Sequence, residues 1–365
     1  MIHPSLYQTI FLYSVVVMTL IVASRLPLRY SRIKQGSKNF NEAFLICAIF
    51  ALWLGGREVN PVFGDTVNYA RRFYDMTRSH TTYSYEGEWV FYNIMTYCAK
   101  YYNITVFFTL IDIGYFGFTL WACKRLTPNN VLVSLLFCLG GLSFFSYGVN
   151  GIRNGLACSI VLVFLSYVIE EGTLNKIMAI VLAVLAFFIH NTVALPVLLS
   201  VVALYSIRSF KTAYTFWILS IIISLVAGGA VTSFFAALGF DDRLDYLTAE
   251  QEKGTFSSSG FRWDFLIYSM MPIVLGYYII YKKKIRDSKY EFLLNTYTLV
   301  NAFWVMVIRA SYSNRFAYLS WFMYPLVLAY PLLEVEVWPN IQGKRLKQIM
   351  LAQIGFTWFM LTFYW

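Results

Sequence analysis

Four arginines, a histidine and two carboxylates sit where long apolar runs end, and their chemistry is the first thing the sequence asks to have explained. Arg153 lies in Gly151-Ile152-Arg153-Asn154-Gly155 between two apolar stretches, where an arginine at a helix centre costs about 2.5 to 3.5 kcal/mol on insertion scales. A short hairpin with a snorkelling side chain lowers that cost. The flanking glycines favour close backbone approach to a bound ligand. Gly55, Gly56 and Arg57 lead into Gly64, Asp65, Thr66 and Tyr69, which brings a guanidinium and a carboxylate to the end of an apolar run. That pair reads equally well as an interfacial salt bridge and as part of a site. His190 ends a run in Phe187-Phe188-Ile189-His190-Asn191-Thr192, as a packing residue or as a proton acceptor or phosphate partner. Arg309 and Arg315 bracket a turn containing Tyr312, which allows them to be membrane-edge anchors as well as ligands. Asp241, Asp242, Arg243 and Asp245 have weak spacing for a divalent cation, and a solvated acidic turn is preferred, so no metal is expected.

A planar guanidinium makes two charge-assisted hydrogen bonds to a phosphate and stays ionised beside a membrane. Several such groups on one face therefore suit a diphosphate. The elements that must position them are membrane helices: of 365 residues 59% are hydrophobic, 19% aromatic and only 13% charged, far below the roughly 25% charge of soluble domains. Apolar runs close to the ~20 residues needed to cross a bilayer recur along the chain. We expect an all-α polytopic membrane protein forming one domain over residues 1–365, with about 12 transmembrane helices near 5–24, 40–56, 104–122, 130–147, 154–169, 174–189, 191–207, 213–236, 263–281, 290–308, 316–333 and 347–364. The stretch 86–101 begins with Glu86 and Glu88 and carries Trp89, Tyr92, Tyr97 and Tyr101, as an interfacial helix does. The five cysteines lie in or beside apolar segments without metal spacing and read as core residues.

Topology follows from the basic residues. With 86–101 not spanning, one face holds Arg25, Arg29, Arg32, Lys34, Lys38, Lys124, Arg125, Lys176, Arg208, Lys211, Lys282, Lys283, Lys284, Arg286, Lys289, Lys344, Arg345 and Lys347. The positive-inside rule makes that face cytoplasmic and puts both termini outside. The net charge of +10 is thereby assigned to topology, and nucleic-acid binding is set aside. The outer face carries the segments 57–103 and 237–262 and the arginines introduced above, which suggests a phosphorylated lipid headgroup. A transferase on that side lacks cytoplasmic nucleotide sugars and would use a sugar already activated on a lipid phosphate.

At these same positions the sequence resembles the EpsG family of Wzy-like polysaccharide polymerases. Arg57 with Gly64, Asp65, Thr66 and Tyr69, then Glu88-Trp89-Val90-Phe91, Ile152-Arg153 with Ala157, His190-Asn191-Thr192 and Arg315-Phe316-Ala317-Tyr318 are similar to its motifs, in its order, over about 40–330. The resemblance implies a GT-C-like membrane fold in the bacterial cytoplasmic membrane without nucleotide, metal or other cofactor, assembling O-antigen, capsule or exopolysaccharide. The growing glycan on undecaprenyl diphosphate would pass to a hydroxyl of the next lipid-linked repeat unit, with membrane lipids, a chain-length regulator and a flippase as partners. Arg153, Arg57, Arg309 and Arg315 are the expected diphosphate ligands; Arg153, His190, Asp65 and Glu88 the expected catalytic groups; Tyr69, Trp89 and Tyr312 the expected sugar contacts. A ligase differs only in its acceptor. A flippase would expose charges along a membrane path, and here Asp112 is the acid placed mid-helix. A multi-helix acyltransferase is the third rival.

Overall fold

The computed structural model describes residues 2–35, 39–237, 261–309 and 313–364. Among these residues every regular element is a helix. The helices form two compact units, Met1–Ala194 with Ala329–Trp365, and Leu195–Leu328. The first unit runs through α1 (Tyr7–Arg25), α2 (Tyr30–Gln35), α3 (Phe40–Gly55), α4 (Thr66–Arg78), α5 (Trp89–Tyr101), α6 (Ile104–Leu126), α7 (Val131–Leu139), α8 (Phe144–Val149), α9 (Ile152–Val168) and α10 (Thr173–Ile189). After it come α11 (Ala194–Tyr205), α12 (Phe210–Ala237), α13 (Trp263–Tyr277), α14 (Ser288–Met306), α15 (Asn314–Trp321) and α16 (Tyr324–Leu333), and the first unit closes with α17 (Gln342–Phe359).

Among the described residues five segments are long and apolar enough to cross a bilayer: Pro4–Arg25, Ile104–Leu126, Phe210–Val231, Trp263–Lys282 and Arg315–Leu333. Shorter apolar helices at Phe40–Gly55, Ile152–Val168, Thr173–Ile189 and Asn191–Tyr205 accompany them. The chain is a multi-pass membrane protein. The starts of α6, α7 and α14 follow ordinary capping chemistry: Asn103, Asn130 and Asp287 accept from Val106, Val133 and Tyr290 backbone N–H groups at 3.0, 3.1 and 2.7 Å, each satisfying one of the donors a helix start leaves open.

Two expectations are corrected. The segment 57–103 holds two helices, α4 as well as α5, because Ala70 and Phe73 give α4 a buried stripe while Arg71, Arg72, Asp75 and Arg78 are exposed. The expected span 130–147 is broken into α7 and α8 at Gly140-Gly141. Helix α17 satisfies the carbonyls this break frees: Gln353 donates to Phe137 O at 2.7 Å and Thr357 to Gly140 O at 2.8 Å. A break inside an apolar core is tolerated only where a neighbour re-satisfies the backbone in this way.

The first unit packs most extensively through α3 on α6, α6 on α9 and α9 on α10. Small residues bring these helices close, for a Cβ on Gly55 would lie 2.5 Å from Thr109 Cα and one on Gly114 2.8 Å from Leu156 Cδ1. All five cysteines are buried and free, as expected of core residues.

Candidate active site

The site is built where the starts of α5 and α9 meet the end of α10. Glu88 precedes the first turn of α5, Arg153 is in the first turn of α9, and His190 caps α10 in an extended conformation. One carboxylate joins them. Glu88 Oε2 accepts from Arg153 Nη1, while its Oε1 faces His190 Nδ1 and accepts from the Asn191 backbone N–H at 3.1 Å. The three side chains are 12%, 13% and 7% exposed for Glu88, Arg153 and His190, so they are mostly withdrawn from water yet reachable from one side. Arg153 Nη1 also donates to the Tyr92 hydroxyl at 2.7 Å.

Burial pushes the Glu88 carboxyl up, but the hydrogen bond and charge of His190, the charge of Arg153 and the Asn191 N–H together hold it below its ordinary value. Glu88 is therefore ionised at neutral pH and acts as an acceptor toward all three neighbours. An ionised carboxylate against Nδ1 requires that nitrogen to carry a proton, so whenever His190 is neutral Nε2 is its basic nitrogen.

Glu88 and Asp65 are the carboxylates whose charge acts on Arg153, with Tyr69 and Tyr92 within electrostatic reach of it. The Gly64-Asp65-Thr66 turn is pinned to the α8–α9 link: Asp65 N donates to Asn150 Oδ1 and Thr66 Oγ1 to Val149 O, both at 2.8 Å. Gly64 has φ of 59°, and a Cβ there would lie 2.4 Å from Asn150 Oδ1, so the turn needs glycine twice over. Tyr69 packs on Phe91, with ring centroids 5.7 Å apart, and Trp89 on Phe188 at 5.4 Å.

Beside the ionic cluster lies an apolar cleft of about 570 Å³ between α5, α6, α9 and α10, whose walls include Trp89, Ile94, Phe118, Leu156, Leu185 and Ile189. Three of these residues directly neighbour the cluster in sequence or by one helical turn: Trp89 follows Glu88, Leu156 is three residues after Arg153, and Ile189 precedes His190.

Other expected ligands are placed differently. Arg57 is 2% exposed. Its Nη1 donates to Asp112 Oδ2 and Leu54 O at 2.7 Å, its Nη2 to Val149 O at 3.4 Å, and its Cζ lies 4.6 Å from the Phe108 ring centroid. The expected Arg57–Asp65 pairing thus gives way to Arg57–Asp112, because the carboxylate on α6 is buried beside it whereas Asp65 is turned to solvent. The glycines around Arg153 also have a different reason from the one expected. A Cβ on Gly155 would lie 2.6 Å from Tyr147 O and one on Gly151 3.3 Å from Tyr147 Cδ1, so they admit α8 against α9 rather than a ligand. In the second unit Arg309 Nε donates to Ser224 O at 3.2 Å, and Arg315 is exposed on the first turn of α15. Tyr312, Asp241, Asp242, Arg243 and Asp245 lie outside the described residues.

Sequence reasoning missed Tyr92 and the Arg57–Asp112 pair. Tyr92 was within reach, since it falls four residues after Glu88 and so on the same helical face. Asp112 was visible as a lone mid-helix acid, a type that nearly always pairs.

No curated protein and no solved structure significantly matches this chain. The model of the EpsG family matches residues 42–365, and the chain belongs to that family.

Proposed function

We propose that this protein is a polysaccharide polymerase that transfers a growing undecaprenyl-diphosphate-linked glycan onto the next lipid-linked repeat unit at the outer face of the bacterial cytoplasmic membrane. Membership of the EpsG family supports a membrane polysaccharide polymerase in general. The observation that carries the finer reading is the Arg153–Glu88–His190 cluster beside an apolar cleft. A guanidinium and an oriented imidazole beside an apolar cleft suit a substrate with a phosphorylated head and a hydrocarbon tail.

In this mechanism the anomeric carbon of the donor glycan leaves its phosphate oxygen and bonds to the acceptor hydroxyl. Arg153 stabilises the negative charge that grows on the departing diphosphate, the largest single contribution expected at such a site. His190 Nε2 takes the acceptor proton, because its ordinary pKa lies nearest working pH. Glu88 holds the Nδ1–H and stabilises the imidazolium that forms, so of Asp65, Glu88 and His190 the histidine is our base. Arg57 contributes by bracing Val149 beside the Asn150-Gly151 turn that presents Arg153. Tyr69 and Trp89 offer ring faces to sugars. A count of about twelve spans, a GT-C-like fold and outward termini complete the proposal, resting on apolar-run length and on the basic loops.

The test uses purified protein supplied with lipid-linked repeat units alone. A ladder of products supports the polymerase; reaction only after adding a different acceptor makes it a ligase; movement across vesicles without new bonds makes it a flippase. Arg153→Lys and then Arg153→Ala, checked for membrane abundance, are expected to shorten and then abolish the ladder. Wild-type chain length with Arg153→Ala would remove that arginine from the mechanism.

A further inference from the structure

The charge of the cluster does not suffice for a diphosphate. Arg153 is offset by Glu88, the same carboxylate serves His190, and Asp65 adds a second negative charge to the surroundings of Arg153. Even with His190 charged, these groups together carry no surplus positive charge for a ligand that bears at least two negative ones. A further cation is needed, and it stands on α4, the helix sequence analysis did not foresee.

Arg72 lies with its Cζ 3.8 Å from the centroid of the Tyr92 ring. The same tyrosine accepts from Arg153 through its hydroxyl, and Arg153 Cζ is 5.7 Å from the same centroid. Among the described residues Arg72 meets no carboxylate at ion-pair distance, and it is exposed. Stacking on a ring uses the face of a guanidinium and leaves its N–H edges open to oxygen ligands. One aromatic side chain therefore holds two guanidiniums at once, the first by its ring and the second by its hydroxyl. Arg72 is also three residues after Tyr69, on the same face of α4, and so on the side already turned toward Arg153.

We infer that Arg72 is a second phosphate-binding residue of this site, paired with Arg153 through the positioning residue Tyr92, and that the pair selects a diphosphate over a monophosphate. A diphosphate offers two anionic groups linked by one oxygen to two separate cations; a monophosphate satisfies only one of them. This rests on the proposed use of a diphosphate-linked substrate and adds the residue that discriminates it.

The experiment measures binding to the full chain in phosphatidylcholine nanodiscs, which contribute no anionic headgroup. The probes are farnesyl diphosphate, farnesyl monophosphate and inorganic pyrophosphate. Wild type is expected to bind farnesyl diphosphate more tightly than the monophosphate. Arg72→Gln should weaken the two diphosphate probes at least about tenfold, the scale of one charge-assisted contact, and narrow the preference over monophosphate. Arg71→Gln, an equal loss of charge at the neighbouring exposed position, should leave all three unchanged. Tyr92→Phe keeps the ring under Arg72 but drops the hydroxyl from Arg153, so it should weaken diphosphate less than Arg72→Gln does. Unchanged diphosphate affinity in Arg72→Gln, or equal weakening by Arg71→Gln, overturns the assignment. A loss confined to farnesyl diphosphate and absent for pyrophosphate also overturns it, because the contact would then not be to phosphate. Failure of wild type to bind any diphosphate probe would instead sink the functional reading beneath it.

Discussion

Replacing Asp112 by Leu should destabilise the protein strongly, and replacing Arg57 by Met in the same chain should restore most of the loss. The two side chains are 1% and 0% exposed and meet at 2.7 Å. Arg57 Nε and Asp112 Oδ1 find no hydrogen-bond partner, so the pair is incompletely satisfied. A buried pair of this kind contributes little compared with apolar residues of the same volume, but stripping one member strands the other charge and costs about 3–5 kcal/mol. Each single variant should therefore lose about 3–5 kcal/mol, whereas the double variant should lose less than either, which requires a coupling larger than the roughly 3–5 kcal/mol cost of one substitution. Thermal unfolding of the four purified proteins in detergent, followed by tryptophan fluorescence, gives the cycle. The double variant should melt above either single variant. Strictly additive losses, or a harmless Asp112→Leu, would refute the argument that these groups exist in the fold chiefly for one another. The same double variant reports on function: retained polymerisation would make Arg57 a brace, and complete loss with a restored melting temperature would return it to the substrate.

The depressed Glu88 carboxyl predicts acid sensitivity of known sign. Its contribution to stability is fully present above its ordinary value of 4.5 and is lost as pH falls through the lower folded-state value. Melting temperatures from neutral to acidic pH should fall more steeply for wild type than for Glu88→Gln; parallel curves would show that the carboxylate is not the linked group. Gly155→Ala drives a Cβ to 2.6 Å from a backbone oxygen of Tyr147, which cannot rotate away. It should cost about 1–3 kcal/mol and lower the melting temperature, and an unshifted transition would mean that α8 and α9 have room to part.

Much of this protein is written in its one-dimensional pattern. Apolar runs of bilayer length, basic loops and the expense of arginine among them determine the membrane class, and Arg153 and His190 stand out because they sit at the ends of apolar runs with no acidic residue nearby in sequence. Periodicity along one helix also suffices for Tyr92 beneath Glu88 and for Arg72 beside Tyr69, since residues three or four apart share a face. Tertiary structure alone decides the rest. Glu88 reaches Arg153 across 65 residues and His190 across 102, and Arg57 finds Asp112 across 55. Such meetings depend on how helices rotate and cross, which spacing within a single helix does not encode. Gly155 makes the same point: it leaves room for the carbonyl of Tyr147, and only packed helices bring that oxygen within reach.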